Sequence, residues 1–216
     1  MNTKTQAIVL HLSPHKENAS ILHLYTRSHG RLQFLVYGKQ GRSKKGLQAL
    51  LEPLSLLNIE AVLQDNKPFG QLRECSFAYV PQALMTDHRR RCVALFMAEM
   101  LCLTLTHPQQ DVQLFDFLSE YIHELDQCSD PQNVHLRFLM NYAAQLGFAI
   151  DFTDPQNQAI ALFLDPQEPD TFSGAGRKNL LHSLLQYYAT HIPDFTMPNS
   201  LPVLEAVFAP ISAHHG

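Results

Sequence analysis

The hydrophobic period of this chain changes once, close to residue 81, and that change limits the folds it can adopt. Up to about Val80, apolar and polar residues alternate in short runs between turn residues, which is typical of β-strands. After Pro81, apolar residues recur three and four positions apart, as on one face of a helix. The sequence therefore predicts a β domain over residues 1–81 and a helical domain over residues 82–216.

Five strands are predicted in the first part of the chain. They cover Gln6–Ser13, Ala19–Arg27, Arg31–Tyr37, Leu50–Leu63 and Phe69–Tyr79. Pro53 lies within the fourth of these segments and implies an edge position or a bulge there. Five short strands joined by hairpins favour a small closed or partly open barrel, because closure removes exposed sheet edges.

Helical periodicity dominates the second part. The first predicted helix has Thr86 as its cap and contains Val93, Phe96 and Leu101 on one face. The later helices are predicted at Asp111–Gln127, at Asn133–Leu146 with Gly147 at its end, at Asn179–Thr190 and at Leu201–Phe208. Residues 148–176 are rich in Pro, Asp, Gln and Gly, which predicts an irregular insert with one short strand at Ala159–Leu164.

Several classes of protein are excluded by what the sequence lacks. No apolar stretch approaches the roughly 20 residues of a membrane helix. The four cysteines form no C-x-x-C pair, which favours reduced thiols and no metal site. We therefore expect a cytoplasmic protein. Gly41 and Gly46 have the spacing of a phosphate-binding P-loop, but Leu47-Gln48 replace its Lys-Ser/Thr. The early histidines, His11, His15, His23 and His29, fit structural roles better than metal ligation. We therefore expect no catalytic residues, no cofactor and no enzymatic activity.

The two signs of charge are separated along the chain. Residues 1–91 carry 13 Lys and Arg against 6 Asp and Glu, a net charge of +7. Residues 92–216 carry 3 basic against 14 acidic side chains, a net charge of −11. Such a division indicates a half that binds a polyanion joined to an acidic half, although a segregated but merely solvated surface would also produce it.

The strongest local feature is the basic segment 38–46, which follows the third predicted strand. It contains three glycines and the four cations Lys39, Arg42, Lys44 and Lys45. The preceding strand places Arg31 and Tyr37 on one face, opposite Phe34. Cations that contact phosphates beside an aromatic ring are typical of sites for single-stranded nucleic acids. Tyr37 has two interpretations, a stacking surface for bases or a packing residue at the barrel rim.

A second group of cations, Arg89-Arg90-Arg91, lies in the first turn of the first predicted helix. The helix dipole disfavours cations there by roughly 0.3–1 kcal/mol, so their placement suggests a bound anion. Solvated side chains, or internal pairs with the acidic half, explain it equally well. We include Arg89 and Arg90 among the candidate DNA-binding residues.

Order and spacing along most of the chain resemble the RecO family, bacterial mediators of recombination. The matching stretches are Ala7–Leu12, Leu24–Arg31, Tyr37–Lys45, Leu51–Leu57, Ala94–Leu101, His135–Leu139 and Leu184–Tyr188. The resemblance implies an N-terminal OB-fold followed by a helical domain. It also implies binding of single- and double-stranded DNA without ATP, to which the loop cations Lys39, Arg42, Lys44 and Lys45 and also Arg27 and Arg31 correspond.

The same resemblance implies partners and a task. Members of the family work with RecR and with the C-terminal tail of single-stranded-DNA-binding protein (SSB), anneal strands and help to load recombinase onto coated single strands. Many carry a cysteine-based zinc site in the helical half. Residues 148–176 contain no cysteine, so this chain resembles the zinc-free members. We expect a cytoplasmic, nucleoid-associated mediator. The alternative is a protein-interaction module whose basic barrel docks on an acidic protein.

Overall fold

The computed structural model of the chain describes residues 1–37, 50–63, 67–105, 109–154, 157, 160 and 174–209. Five strands precede the helices: β1 (Asn2–Lys16), β2 (Ala19–Thr26), β3 (Gly30–Tyr37), β4 (Leu56–Val62) and β5 (Gln71–Phe77). They form one antiparallel sheet in the order β3-β2-β1-β4-β5. The predicted strand β4 was too long at its start, since Pro53 lies in the turn that precedes Leu56 and not in the strand.

The two outer strands of this sheet approach each other and nearly close it. A single parallel bridge joins Phe34 of β3 to Gly70, which precedes β5, and the Gly70 amide donates to the carbonyl of Gln33 at 2.8 Å. A five-stranded barrel that stays partly open is the architecture of an OB-fold. The expected barrel of OB type is therefore confirmed.

The described helices follow the barrel. They are α1 (Gln82–Thr86), α2 (His88–Thr104), α3 (Val112–Gln127), α4 (Val134–Gln145), α5 (Gly174–His191) and α6 (Leu201–Val207), with a short 3-10 turn at Pro131–Asn133. Gly147 follows α4 with φ +88°, the left-handed conformation that ends a helix at glycine. The predicted end of that helix is confirmed.

Two details of the predicted helices are wrong. Thr86 is not the cap of the long helix, because it ends α1 and donates its hydroxyl to Gln82 and Ala83 carbonyls. The cap is Asp87, whose carboxylate accepts from the Arg89 amide at 2.8 Å. Helix α5 begins at Gly174, earlier than predicted, so the last residues of the expected insert are helical. Most of the insert, including the strand predicted at 159–164 apart from Ile160, lies outside the described residues.

Two apolar clusters stabilise this arrangement. The smaller fills the barrel around Val9, Leu24 and Phe34. The larger holds the helices together and also includes Ile8 and Tyr25, which point outward from β1 and β2. The outer face of these strands is thus buried against the helical half. This part of the barrel surface is therefore not available for binding a ligand.

Candidate nucleic-acid interface

Strand β3 carries Tyr37 to the end of the barrel, where the basic segment begins. Leu32, Phe34 and Val36 pack in the barrel core, which confirms the predicted alternation of this strand. Tyr37 is 71% exposed, so its ring is accessible at the surface. The loop cations Lys39, Arg42, Lys44 and Lys45 lie outside the described residues, and their role stays a prediction.

Arg31, at the other end of β3, is held by the helical half. Its Nη1 donates to the carbonyls of Cys102 at 3.1 Å and Leu105 at 2.7 Å. These carbonyls belong to the last turn of α2 and its C-terminal cap, where a cation interacts favourably with the helix dipole. Tyr37 lies six positions after Arg31, which is about 20 Å along a strand. The structure therefore does not bring these two predicted residues together.

Arg27 lies near Arg31, in the turn between β2 and β3. Its Nη2 is 3.0 Å from Oδ2 of Asp116 on α3, and both side chains remain close to half exposed. An exposed pair of this kind contributes about 0–1 kcal/mol. Arg27 therefore joins the barrel to the helices weakly, and its guanidinium keeps contact with solvent.

The predicted cations at the start of α2 contact the protein's own acidic half. Arg90 is mostly buried, pairs with Asp87 and donates to the carbonyls of Leu125 and Cys128, at the end of α3. Arg89 pairs with Asp130 at 3.1 Å and lies 4.9 Å from the ring centre of Phe208. These contacts match the internal pairing considered for this group. Arg90 is engaged in helix packing, whereas Arg89 stays partly exposed.

Two cations that no sequence motif indicates lie near Tyr37. Lys67 and Arg73 are exposed, and each lines a cavity that Tyr37 also lines. Neither forms an ion pair within the part of the chain that the structure describes. Their sequence neighbourhoods carry no motif, and only the closure of β3 toward β5 brings them to Tyr37.

Two of the early histidines, the partly buried His11 and the buried His23, form a stacked pair between the barrel and α2. The rings of His11 and His23 stack at 3.8 Å between centres, and His11 Nδ1 lies 3.2 Å from Sγ of Cys102. Burial, reinforced by His11 and Arg31, lowers the pKa of His23 to about 4. Among the described residues, no group of three or more His, Cys, Asp and Glu side chains is placed to hold a metal ion.

Acid should destabilise the protein through His23. The folded pKa is depressed below the unfolded value of about 6.5, so the neutral ring stabilises the fold above pH 6.5, and this stabilisation is lost as pH falls toward 4. We expect the free energy of unfolding in urea to fall by about 1–2 kcal/mol between pH 7 and pH 5 from this group. His23→Gln should reduce the pH dependence by that amount. If the free energy of unfolding fell equally with pH in the wild type and in His23→Gln, the acid sensitivity would not come from His23.

Comparisons with known proteins agree with this architecture. A family model described as Recombination protein O N terminal matches residues 1–80, and one described as Recombination protein O C terminal matches residues 85–155. Together the two ranges cover more than two thirds of the chain. No helix within the described ranges is long and apolar enough to cross a membrane.

Curated relatives match over nearly their whole length. The chain is 28% identical to DNA repair protein RecO of Porphyromonas gingivalis, with 94% of this chain and 98% of that protein covered. It is 29% identical to DNA repair protein RecO of Phocaeicola vulgatus, with 97% and 100% covered. The corresponding protein of Flavobacterium psychrophilum is 25% identical, again with 97% and 100% covered.

Proposed function

Since this chain belongs to the RecO family of DNA repair and recombination proteins, we propose that it is a non-enzymatic recombination mediator. In this role the barrel half, residues 1–81, binds single- and double-stranded DNA without ATP. The helical half, residues 82–216, contacts protein partners. The protein anneals complementary strands in the cytoplasm, at the nucleoid.

The observation that carries this proposal is the combination of Tyr37 with the charge division. Tyr37 is the most exposed aromatic side chain among the described residues, and it stands directly before four loop cations. The part of the chain that contains it has a net charge of +7, against −11 in residues 92–216. Phosphates are attracted to such a surface, and an accessible ring next to it offers bases a stacking face.

The contacts of Arg31 and Arg90 divide the predicted DNA-binding residues into two groups. These two guanidinium groups donate to main-chain carbonyls of the helical half, so their loss should affect stability before DNA affinity. Tyr37 makes no such contact among the described residues, and the loop cations lie outside them. We therefore assign DNA binding chiefly to Tyr37, Lys39, Arg42, Lys44 and Lys45, with Arg27 and Arg89 at the margin.

Protein partners complete the proposed task. RecR and the C-terminal tail of SSB are the partners that the family resemblance implies, and with RecR the protein would help to load recombinase onto SSB-coated single strands. The helical half carries most of the acidic side chains and the barrel half most of the basic ones, which supports binding of a protein by the helical half while the barrel holds DNA. No metal or other cofactor has a part in this proposal.

Strand annealing by the purified full-length protein tests this function. Complementary oligonucleotides, one of them labelled, should anneal faster with the protein than without it, and no ATP should be needed. The alternative, a basic barrel that docks on an acidic protein, predicts no gel shift with DNA and capture of an acidic protein from extract. Failure of the wild-type protein to bind either form of DNA would contradict the proposed function.

A further inference from the structure

The barrel has an open cleft between β3 and β5. Among the described residues, an isolated parallel bridge joins Phe34 of β3 to Gly70, the residue before β5. Beyond the bridge the two strands separate around a space of about 290 Å³ lined by Leu35, Tyr37, Lys67, Pro68, Phe69 and Gln71, and a second space of about 710 Å³ continues along β5 past Arg73. Leu35, Tyr37 and Gln71 line both spaces, so they form one cleft.

The composition of the cleft is that of a site for a planar ring attached to an anion. Tyr37 and Phe69 supply aromatic rings, and Leu35 and Pro68 supply further apolar surface. Lys67 and Arg73 supply positive charge, and neither takes part in an ion pair among the described residues. The larger space is also lined by a carboxylate, that of Glu74, which is paired in register with Glu60 of β4. Among the described residues, Glu74 forms no ion pair with Lys67 or Arg73.

The position of the cleft follows from the way the barrel is covered. Tyr25 and Ile8 bury the outer face of β2 and β1 against the helices, and Arg31 fixes the start of β3 to the end of α2. What stays available beside the basic segment is the far end of β3, where Tyr37 lies. The basic segment begins directly after Tyr37 in the sequence, so the cleft between β3 and β5 lies at the residue from which that segment starts.

We propose that this cleft is a base-stacking subsite for single-stranded nucleic acid, with Tyr37 and Phe69 as the aromatic surfaces and Lys67 and Arg73 as phosphate contacts. This proposal rests on the proposed function and adds that the cleft distinguishes single-stranded from double-stranded DNA. A duplex hides the faces of its bases within its own stack, so it gains nothing from the cleft. A single strand exposes those faces and gains stacking energy that is independent of sequence.

The test compares Tyr37→Leu with the wild-type full chain on two labelled probes, an oligo-dT single strand and a duplex of the same length. Tyr37→Leu should weaken single-strand binding by about 5-fold or more, since base stacking on aromatic residues supplies at least that factor, and should leave duplex binding within about twofold. Phe152→Leu is the matched control, because Phe152 is also exposed, at 43%, but lies in the helical half. That control should bind both probes as the wild type does.

A spectroscopic readout separates stacking from simple loss of contact. A single strand that carries 2-aminopurine should lose fluorescence on binding to the wild type, because the base stacks on an aromatic ring, and should lose less on binding to Tyr37→Leu. Equal weakening on both probes, or an unchanged single-strand affinity, would overturn the subsite while the proposed function stands. Absence of DNA binding by the wild type would instead overturn the proposed function.

Discussion

Replacing Lys39, Arg42, Lys44 and Lys45 together with Ala should produce the largest functional loss of any change considered for this protein. Each phosphate neutralised on a single strand contributes about −0.7 to the slope of log affinity against log salt concentration. Removing four contacts should therefore make the slope shallower by about 3 and weaken binding strongly at low salt. Fluorescence anisotropy with labelled single strands at several NaCl concentrations measures both effects.

The loss should be the same for all base sequences, because contacts to the phosphate backbone carry no base information. A variant with Arg137→Ala and Lys178→Ala is the matched control. It removes two cations from the acidic half, where they pair with Glu124 and Glu205, and should leave the slope unchanged. If the quadruple variant kept the wild-type affinity and slope, the DNA-binding surface would lie elsewhere on the molecule.

Replacing Asp126 with Ala should produce the largest loss of stability. The carboxylate of this buried residue accepts from Tyr79 Oη and from the Leu84 amide, both at 2.7 Å. Burial alone would raise the pKa of Asp126, but these hydrogen bonds outweigh it and hold the pKa below its ordinary value. Asp126 thus fixes α3 to α1, through Leu84, and to the segment that leads from the barrel into α1, through Tyr79. Hydrogen bonds to a charged group contribute about 1.5–3 kcal/mol each, so we expect a loss of about 3 kcal/mol.

Urea denaturation at pH 7 measures this loss, and two variants make it specific. Tyr79→Phe removes one of the two hydrogen bonds and should cost about half as much. Asp130→Ala removes an exposed carboxylate that pairs with Arg89, and should change the free energy of unfolding by less than about 1 kcal/mol. Ordinary surface substitutions change the free energy of unfolding by less than about 0.5 kcal/mol. A change that small for Asp126→Ala would show that α1 and the segment before it are held by other contacts, such as the larger apolar cluster.

Local patterns in the sequence predicted the elements well, because period and turn residues are local properties. The alternation of β3 around Phe34 and the end of α4 at Gly147 both follow from such patterns. The cap of α2 was missed because Thr86 and Asp87 are both good cap residues, and only the observed hydrogen bond distinguishes them. The start of β4 was missed because the apolar run before Leu56 is equally compatible with a turn.

Local patterns did not predict contacts between distant parts of the chain. Nothing near Arg31 indicates that it meets the end of α2, more than 70 residues later, and its resemblance to DNA-binding cations suggested a different role. The same holds for Lys67 and Arg73, which reach Tyr37 only because the barrel nearly closes. Charge division, in contrast, was visible in the sequence because it depends on composition alone.

The shared core also bears on how the two proposed domains should be studied. Ile8 and Tyr25 of the barrel are fully buried together with helical residues, so a fragment of residues 1–81 would expose this apolar surface to water. Binding experiments are therefore better made with the full chain and substitutions than with an excised barrel. The division at residue 81 stays a proposal about topology and function.

If cations in the barrel half bind a nucleic-acid backbone, the affinity of the wild-type protein for single strands must depend steeply on salt concentration. If four to six phosphates are neutralised, log affinity should fall linearly with log NaCl concentration at a slope of roughly −3 to −4. A slope close to zero, with measurable binding, would show that these cations do not bind the phosphate backbone.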